Sequence, residues 1–160
     1  MKKLVLLAIL LSGCGVMHHC QEKPITRVDP AFRTIYDLFY KELEDRNLKP
    51  KFDVASITWA DKMSIDTDIP GGEVAGECMV WDNNAGWYYH VIHINRASPS
   101  ELLPIVIIHE IGHCALGFCH STDPDDIMAP IVPGQLTQER VDNFFNTYSR
   151  GETYTDCEYK

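Results

Sequence analysis

Residues 101–116, which read ELLPIVIIHEIGHCAL, set the architecture of the domain. Most of its side chains are apolar, which predicts a helix buried in the core rather than one lying on the surface. Pro104 must lie in or near the first turn, because proline lacks the N–H that a helix interior requires. Ser98 or Ser100 can cap this end. Gly117 follows the stretch and is a typical residue at which a helix stops.

Three polar side chains interrupt this apolar helix: His109, Glu110 and His113. Residues at positions i and i+4 lie on one helical face, so the two imidazoles can hold one zinc ion. Glu110 is offset around the helix and can reach a water bound to that ion. The alternative is a pair of buried histidines satisfied by hydrogen bonds. This alternative does not explain why an apolar helix should contain three polar side chains, because burying polar groups without a partner costs free energy.

The third ligand is expected just beyond the helix. Gly117 lets the chain turn back, and His120 follows at a spacing from which it can reach the metal. Three histidines leave a fourth position for water, which is the catalytic rather than the structural arrangement. Cys119 is a competing ligand. Cys114 directly follows His113 and therefore points away from the ligand face.

These residues resemble the metzincin clan of zinc peptidases, whose pattern contains the paired histidines, a glycine, a third histidine and a later methionine. Residues 120–130, HSTDPDDIMAP, look like the matrixin branch in particular, and Leu136–Glu139, which opens a final helix, is similar as well. The resemblance spans roughly residues 103–148. One departure is that Cys114, Ala115 and Leu116 stand where the family usually has two residues. The helix therefore runs one residue longer, or its last turn loosens.

The resemblance implies a zinc-dependent endopeptidase. His109, His113 and His120 would bind Zn²⁺, and Glu110 would act as the general base that activates a water for attack on the peptide bond. Met128 would lie in a tight turn, the Met-turn, as an apolar floor beneath the zinc.

The rest of the chain predicts one α+β domain. A helix begins at Asp29–Pro30 and ends near Asn47 and Pro50, with apolar residues at helical spacing between them. Strands are predicted at 52–59, 73–81 and 87–94, with a turn at 82–86. Thr137 caps a last helix. We expect a small twisted mixed sheet packed on the active-site helix, with a C-terminal helix after the Met-turn. Residues 73–81 could be the edge strand along which an extended peptide pairs.

The N-terminus predicts export and lipid anchoring. Residues 1–13 combine a basic start with an apolar run too short to span a bilayer. Leu11–Cys14 resembles the lipobox of bacterial lipoproteins, in which the cysteine is lipidated; the alternative is an ordinary secretory signal with a chance cysteine. Gly15 favours the outer membrane of a bacterial cell envelope. We expect a lipidated cysteine and tether at 14–29, a peptidase domain at 30–150 and a tail at 151–160.

Export implies an oxidising compartment, where disulfides persist. Five cysteines remain after Cys14, so at most two disulfides can form and the sequence does not choose the pairs: Cys20, Cys78, Cys114, Cys119 and Cys157. The net charge of −9 argues against a nucleic-acid partner, because phosphates attract Lys and Arg. The expected partners are a peptide or protein substrate and, through the anchor, a membrane; we expect a monomer.

Two other functions remain open at this point. A non-catalytic lipoprotein could use the three histidines to bind or carry zinc, although a carrier has no need of a base such as Glu110. A structural zinc module is the other alternative, but structural sites more often use four protein ligands.

Overall fold

A computed structural model describes residues 26–65, 73–82, 88–131 and 134–152, and these form a mixed sheet with three α-helices. The strands are β1 (Arg27–Val28), β2 (Val54–Ala60), β3 (Gly76–Asp82) and β4 (Tyr88–Asn95). Their order across the sheet is β1-β2-β4-β3. β1 and β4 each pair parallel with β2, whereas β3 pairs antiparallel with β4 and lies at the edge. The prediction of an α+β fold with a mixed sheet is confirmed.

The buried helix α2 (Leu103–Ile111) packs against β3, β4 and the first helix. A 3-10 turn at Ser100–Leu102 precedes it, and Pro104 lies in its first turn as predicted. Neither serine caps it, contrary to expectation: Leu102 is the N-cap, with no side-chain hydrogen bond. The Ser98 hydroxyl instead donates to the Ala75 carbonyl at 3.1 Å, which ties the helix approach to the start of β3.

The last turn of this helix is a π-turn, Gly112–Leu116. A π-turn holds one residue more than an α-turn, and this is how the extra residue between His113 and Gly117 is accommodated. Gly117 then adopts the left-handed conformation with φ 68°, and its N–H donates to the Gly112 and His113 carbonyls. The helix therefore both lengthens and loosens, and the chain still reverses at the glycine.

β1 was not expected. Residues 14–29 were predicted to be a tether, but Arg27–Val28 form a strand, and Val28 is buried. Arg27 and Val28 pair with Ser56 and Ile57 of β2. The folded domain therefore begins at least three residues before the predicted boundary at Pro30. Two residues were too few to show an alternating pattern in the sequence.

The first and last helices contribute aromatic residues to the core. α1 (Arg33–Asp45) follows a 3-10 turn at Pro30–Phe32, whose cap is Asp29 as predicted. α3 (Gln138–Ser149) is capped by the Thr137 hydroxyl, also as predicted. The two helices meet through aromatic rings: the Phe39 ring lies 5.2 Å from that of Phe145 and 6.0 Å from that of Phe144.

Several predictions fall outside the described residues. They are the signal peptide and Cys14, the remainder of the tether including Cys20, the turn at 82–86 apart from Asp82, and most of the tail with Cys157. Among the helices that the structure describes, none has the length and apolar character needed to cross a membrane.

Candidate metal centre

The fold brings together the three histidines predicted to be metal ligands, His109, His113 and His120; we call this group the histidine centre. One ligand nitrogen from each lies within 4.8 Å of the others. The Nε2 atoms of His109 and His113 are 3.0 Å apart. Two nitrogen ligands on a tetrahedral zinc ion are separated by about 3.3 Å. The spacing at the helix is therefore already close to what one shared cation requires.

Backbone carbonyls hold the two helical imidazoles in place. The Nδ1 atom of His109 lies 2.7 Å from the Ile127 carbonyl oxygen, and that of His113 lies 2.6 Å from the Phe118 carbonyl oxygen. A carbonyl can only accept, so each Nδ1 carries the proton and each Nε2 presents a lone pair. Two lone pairs facing each other at 3.0 Å repel unless a cation lies between them. The arrangement therefore fits a metal ion.

Burial keeps these imidazoles neutral, which is the form that binds a metal. It lowers the pKa of His109 to about 3, with the nearby His113 as a second cause, and the pKa of His113 to about 4. His120 lies beyond the glycine turn and is more exposed, and burial lowers its pKa as well.

Glu110 lies beside the histidines and is 6% exposed. Burial, and then the Glu77 carboxylate, raise its pKa to about 8. Gly76 makes room for it: a Cβ added at Gly76 would lie 2.7 Å from Glu110 Cγ and 2.9 Å from Oε1. Any larger residue at the start of β3 would displace the carboxylate. Gly76 was not predicted from the sequence, although a glycine inside a strand pattern can indicate that another part of the molecule approaches the strand closely.

Glu77 was also missed. It is 3% exposed, and its carboxylate accepts hydrogen bonds from the Ser64 backbone N–H at 2.9 Å and the Ser64 hydroxyl at 2.5 Å. His93 Nδ1 lies 3.2 Å away on the neighbouring strand. Burial raises the pKa of Glu77, but the hydrogen bonds from Ser64 and His93 outweigh it and the net shift is downward. This network fixes the start of β3, next to Glu110.

Met128 is fully buried in the turn that follows His120. Its N–H donates to the Asp126 carboxylate at 2.8 Å, and its carbonyl accepts from the Ser121 N–H at 2.8 Å. The sulfur would lie 2.7 Å from a Cβ added at Gly112. The methionine thus packs directly under the helical turn that carries His113, while its neighbour Ile127 holds His109.

The cysteines are disulfide-bonded near the centre. Cys78 of β3 is bonded to Cys114 of the π-turn, a choice that the sequence left open. Cys119 is also disulfide-bonded, so it offers no free thiolate to compete with His120 as the third ligand. The bond from Cys78 joins the edge strand to the residue directly after His113.

Comparison with known proteins identifies the family. The Matrixin family model matches residues 35–144, which is more than half of the chain. Searches of characterised proteins and of solved structures found no match. The matched segment runs from the first helix to the last and includes all three histidines, Glu110 and Met128. The chain therefore belongs to the matrixin family of zinc-dependent metallopeptidases.

Proposed function

We propose that this protein is a zinc-dependent endopeptidase, with Zn²⁺ bound by His109, His113 and His120. The observation that carries the proposal is the buried Glu110 carboxylate next to two imidazoles whose Nε2 lone pairs converge. Imidazole nitrogens suit zinc, and three of them leave one position open for water. When bound there, zinc would lower the pKa of a water and polarise the scissile carbonyl.

Glu110 is placed to move the proton in this reaction. Its carboxylate accepts a proton from the attacking water and then donates it to the amine nitrogen of the departing peptide. Gly76 keeps the carboxylate in position by leaving it room. The Ile127 and Phe118 carbonyls hold the ligand imidazoles in one tautomer, so these rings need not reorganise during turnover.

The substrate we propose is an extended peptide. β3 is the edge strand of the sheet and begins against Glu110, so a peptide added as a further strand would run past the carboxylate. The Cys78–Cys114 disulfide ties β3 to the π-turn, and the hydrogen bonds of Glu77 tie the start of β3 to Ser64. These ties support a fixed register between the bound peptide and the histidine centre.

Replacement of Glu110 by glutamine tests the mechanism. Glu110→Gln removes the base but neither the ligands nor the side-chain volume, so zinc content should stay at one ion per chain. Cleavage of a mixed peptide library, followed by mass spectrometry, should slow by a factor of about 10²–10⁴. Glu101→Gln is the matched control, because Glu101 is an exposed residue in the 3-10 turn that precedes this helix.

Undiminished cleavage by a zinc-loaded Glu110→Gln protein would contradict the mechanism. A wild-type protein that binds zinc but cleaves no peptide in a broad library would favour a zinc-binding or zinc-carrying lipoprotein instead.

We also propose that the protein is lipid-anchored at Cys14 in a bacterial cell envelope, at the outer membrane, and acts there as a monomer. The support is the lipobox-like Leu11–Cys14 and the glycine that follows it. Cys14→Ser should abolish incorporation of labelled lipid and leave unprocessed precursor. Normal cleavage and soluble release of this variant would point to an ordinary secretory signal.

A further inference from the structure

Cys78, His90 and Cys114 form a second group of metal-ligand atoms, which we call the Cys–His cluster. The two sulfur atoms and one ring nitrogen of His90 all lie within 4.8 Å of one another. Each residue comes from a different element: Cys78 from β3, His90 from β4 and Cys114 from the π-turn. The disulfide between the two cysteines occupies both sulfur atoms, so the cluster as it stands cannot hold a metal.

His90 has the properties of a ligand without a partner. Its Nδ1 atom is buried, and the part of the chain that the structure describes offers it no hydrogen bond. A buried polar nitrogen without a partner is costly, so each case calls for an explanation. The ring stacks on Phe52, with centroids 4.6 Å apart and planes 13° from parallel. Burial lowers its pKa, which keeps the imidazole neutral and able to bind a metal.

We propose that reduction of the Cys78–Cys114 disulfide converts the Cys–His cluster into a second metal site, which binds a thiophilic divalent cation such as Zn²⁺ through two thiolates and the His90 imidazole. A dithiol reductant supplies two electrons and two protons. The S–S bond breaks, each sulfur becomes a thiol, and the dithiol closes to its own disulfide. Both thiol protons then pass to solvent as the cation binds, and a fourth position remains for water.

The positions of the two cysteines allow this change. Cys78 is partly exposed on the edge strand, whereas Cys114 is fully buried, so we expect a small reductant to approach the disulfide from the Cys78 side. Two thiolates on one zinc ion lie about 3.8 Å apart, compared with about 2.05 Å in a disulfide. The sulfurs must therefore separate, and we expect the partly exposed Cys78 to move rather than the fully buried Cys114. Cys114 can stay in place beside β4, where its sulfur lies 3.7 Å from the Val91 carbonyl.

Cobalt binding tests the proposal without any measurement of peptidase activity. The chain from residue 15 is first loaded with zinc, then titrated with Co²⁺ with and without a phosphine reductant, which adds no thiolate of its own. Thiolate ligation gives Co²⁺ a near-ultraviolet charge-transfer band, which the histidine centre cannot produce. We expect one equivalent of Co²⁺ to generate this band in reduced protein and none in oxidised protein.

Three variants identify the ligands. Cys78→Ser should abolish the band, and His90→Ala should weaken Co²⁺ binding by about tenfold or more. Cys119→Ser should keep the band. Reduction also frees the Cys119 thiol, but Cys119 is not one of the three residues of the Cys–His cluster.

Absence of the band in reduced wild-type protein, or its survival in Cys78→Ser, would overturn the proposal. Loss of the near-ultraviolet circular dichroism on reduction would do so as well, since the site needs a fold that persists without the disulfide. None of these outcomes bears on the peptidase activity, so failure of this proposal and failure of the proposed function can be told apart.

Discussion

The histidine centre and the Cys–His cluster both gather three metal-ligand atoms within 4.8 Å, yet they differ in what surrounds those atoms. In the centre, carbonyls accept the Nδ1 protons of His109 and His113, so both Nε2 lone pairs are free. In the cluster, the sulfurs are bonded to each other and the buried His90 nitrogen has no partner among the described residues. Short distances between ligand atoms are therefore insufficient. Hydrogen bonds to the imidazoles prepare the histidine centre for a metal, whereas the disulfide keeps the cluster closed.

The two groups meet at the π-turn. Cys114 directly follows His113, and Cys78 lies two residues after Gly76, which contacts Glu110. The π-turn therefore carries both the ligand His113 and Cys114, and β3 carries both Cys78 and the glycine that makes room for the base. The proposed reduction of the disulfide would therefore take place directly beside the histidine centre.

Removal of one histidine from each group should give the largest contrast. His120→Ala in oxidised protein should lose most of its bound zinc and with it all measurable peptide cleavage, because two imidazoles remain where three are needed. His90→Ala should retain one zinc ion per chain, since His90 belongs to the cluster that the disulfide keeps closed. Metal analysis after gel filtration measures both. Retention by His120→Ala with loss from His90→Ala would reverse our assignment of the two groups.

The stability of the metal-free protein should depend on pH through Glu110. Its pKa is about 8 when folded, against 4.5 as the ordinary value, so the unfolded chain releases this proton first. Ionisation therefore favours unfolding, and stability falls as pH rises from about 4.5 to 8 and levels off above 8. Glu110→Gln lacks this loss, so its stability advantage over wild type should grow by a few kcal/mol between pH 5 and pH 8.

Urea denaturation in the presence of a chelator checks this pH dependence. Adding zinc back should reduce the pH dependence of the stability, because a nearby cation favours the ionised form of the Glu110 carboxylate. A stability difference between the two proteins that is constant with pH would show that Glu110 is not buried as the structure has it.

Substitution of Gly112 should have a smaller effect, confined to the packing beneath the histidine centre. A Cβ there would lie 2.7 Å from the Met128 sulfur and 3.1 Å from the Phe144 ring. Gly112→Ala should therefore lower the free energy of unfolding by about 1–3 kcal/mol. Gly134→Ala is the control, since no described atom lies within 4 Å of a Cβ added there. Equal denaturation midpoints for the two variants would contradict the close packing of Met128 against the turn.

Much of the site was predictable because it depends on local spacing. The i, i+4 separation of His109 and His113 determines that they share a helical face, whatever the rest of the chain does. The glycine that ends the helix could likewise be predicted from its freedom to adopt positive φ, and the structure confirms it at 68°. The π-turn was harder, because a single extra residue can lengthen a helix or loosen it, and only hydrogen bonding across the whole turn decides between these.

The contributions of β3 could not be predicted for a different reason. Gly76 and Glu77 lie more than thirty residues from Glu110 in the sequence, and their contacts depend on how the strand packs against the helix. β1 was not predicted because a strand of two residues shows no periodicity in the sequence. The burial of Val28 becomes evident only when β2 lies beside it.

The amino-acid sequence was enough to predict the helix, its paired histidines, the base and the glycine that turns the chain back, because each follows from the geometry of a single element. The folded chain was needed to identify the cysteine pair, the carbonyls that orient the imidazoles and the glycine that makes room for Glu110. Those depend on distances between elements far apart in the chain, and such distances are set by the packing of the sheet against the helices rather than by any local pattern.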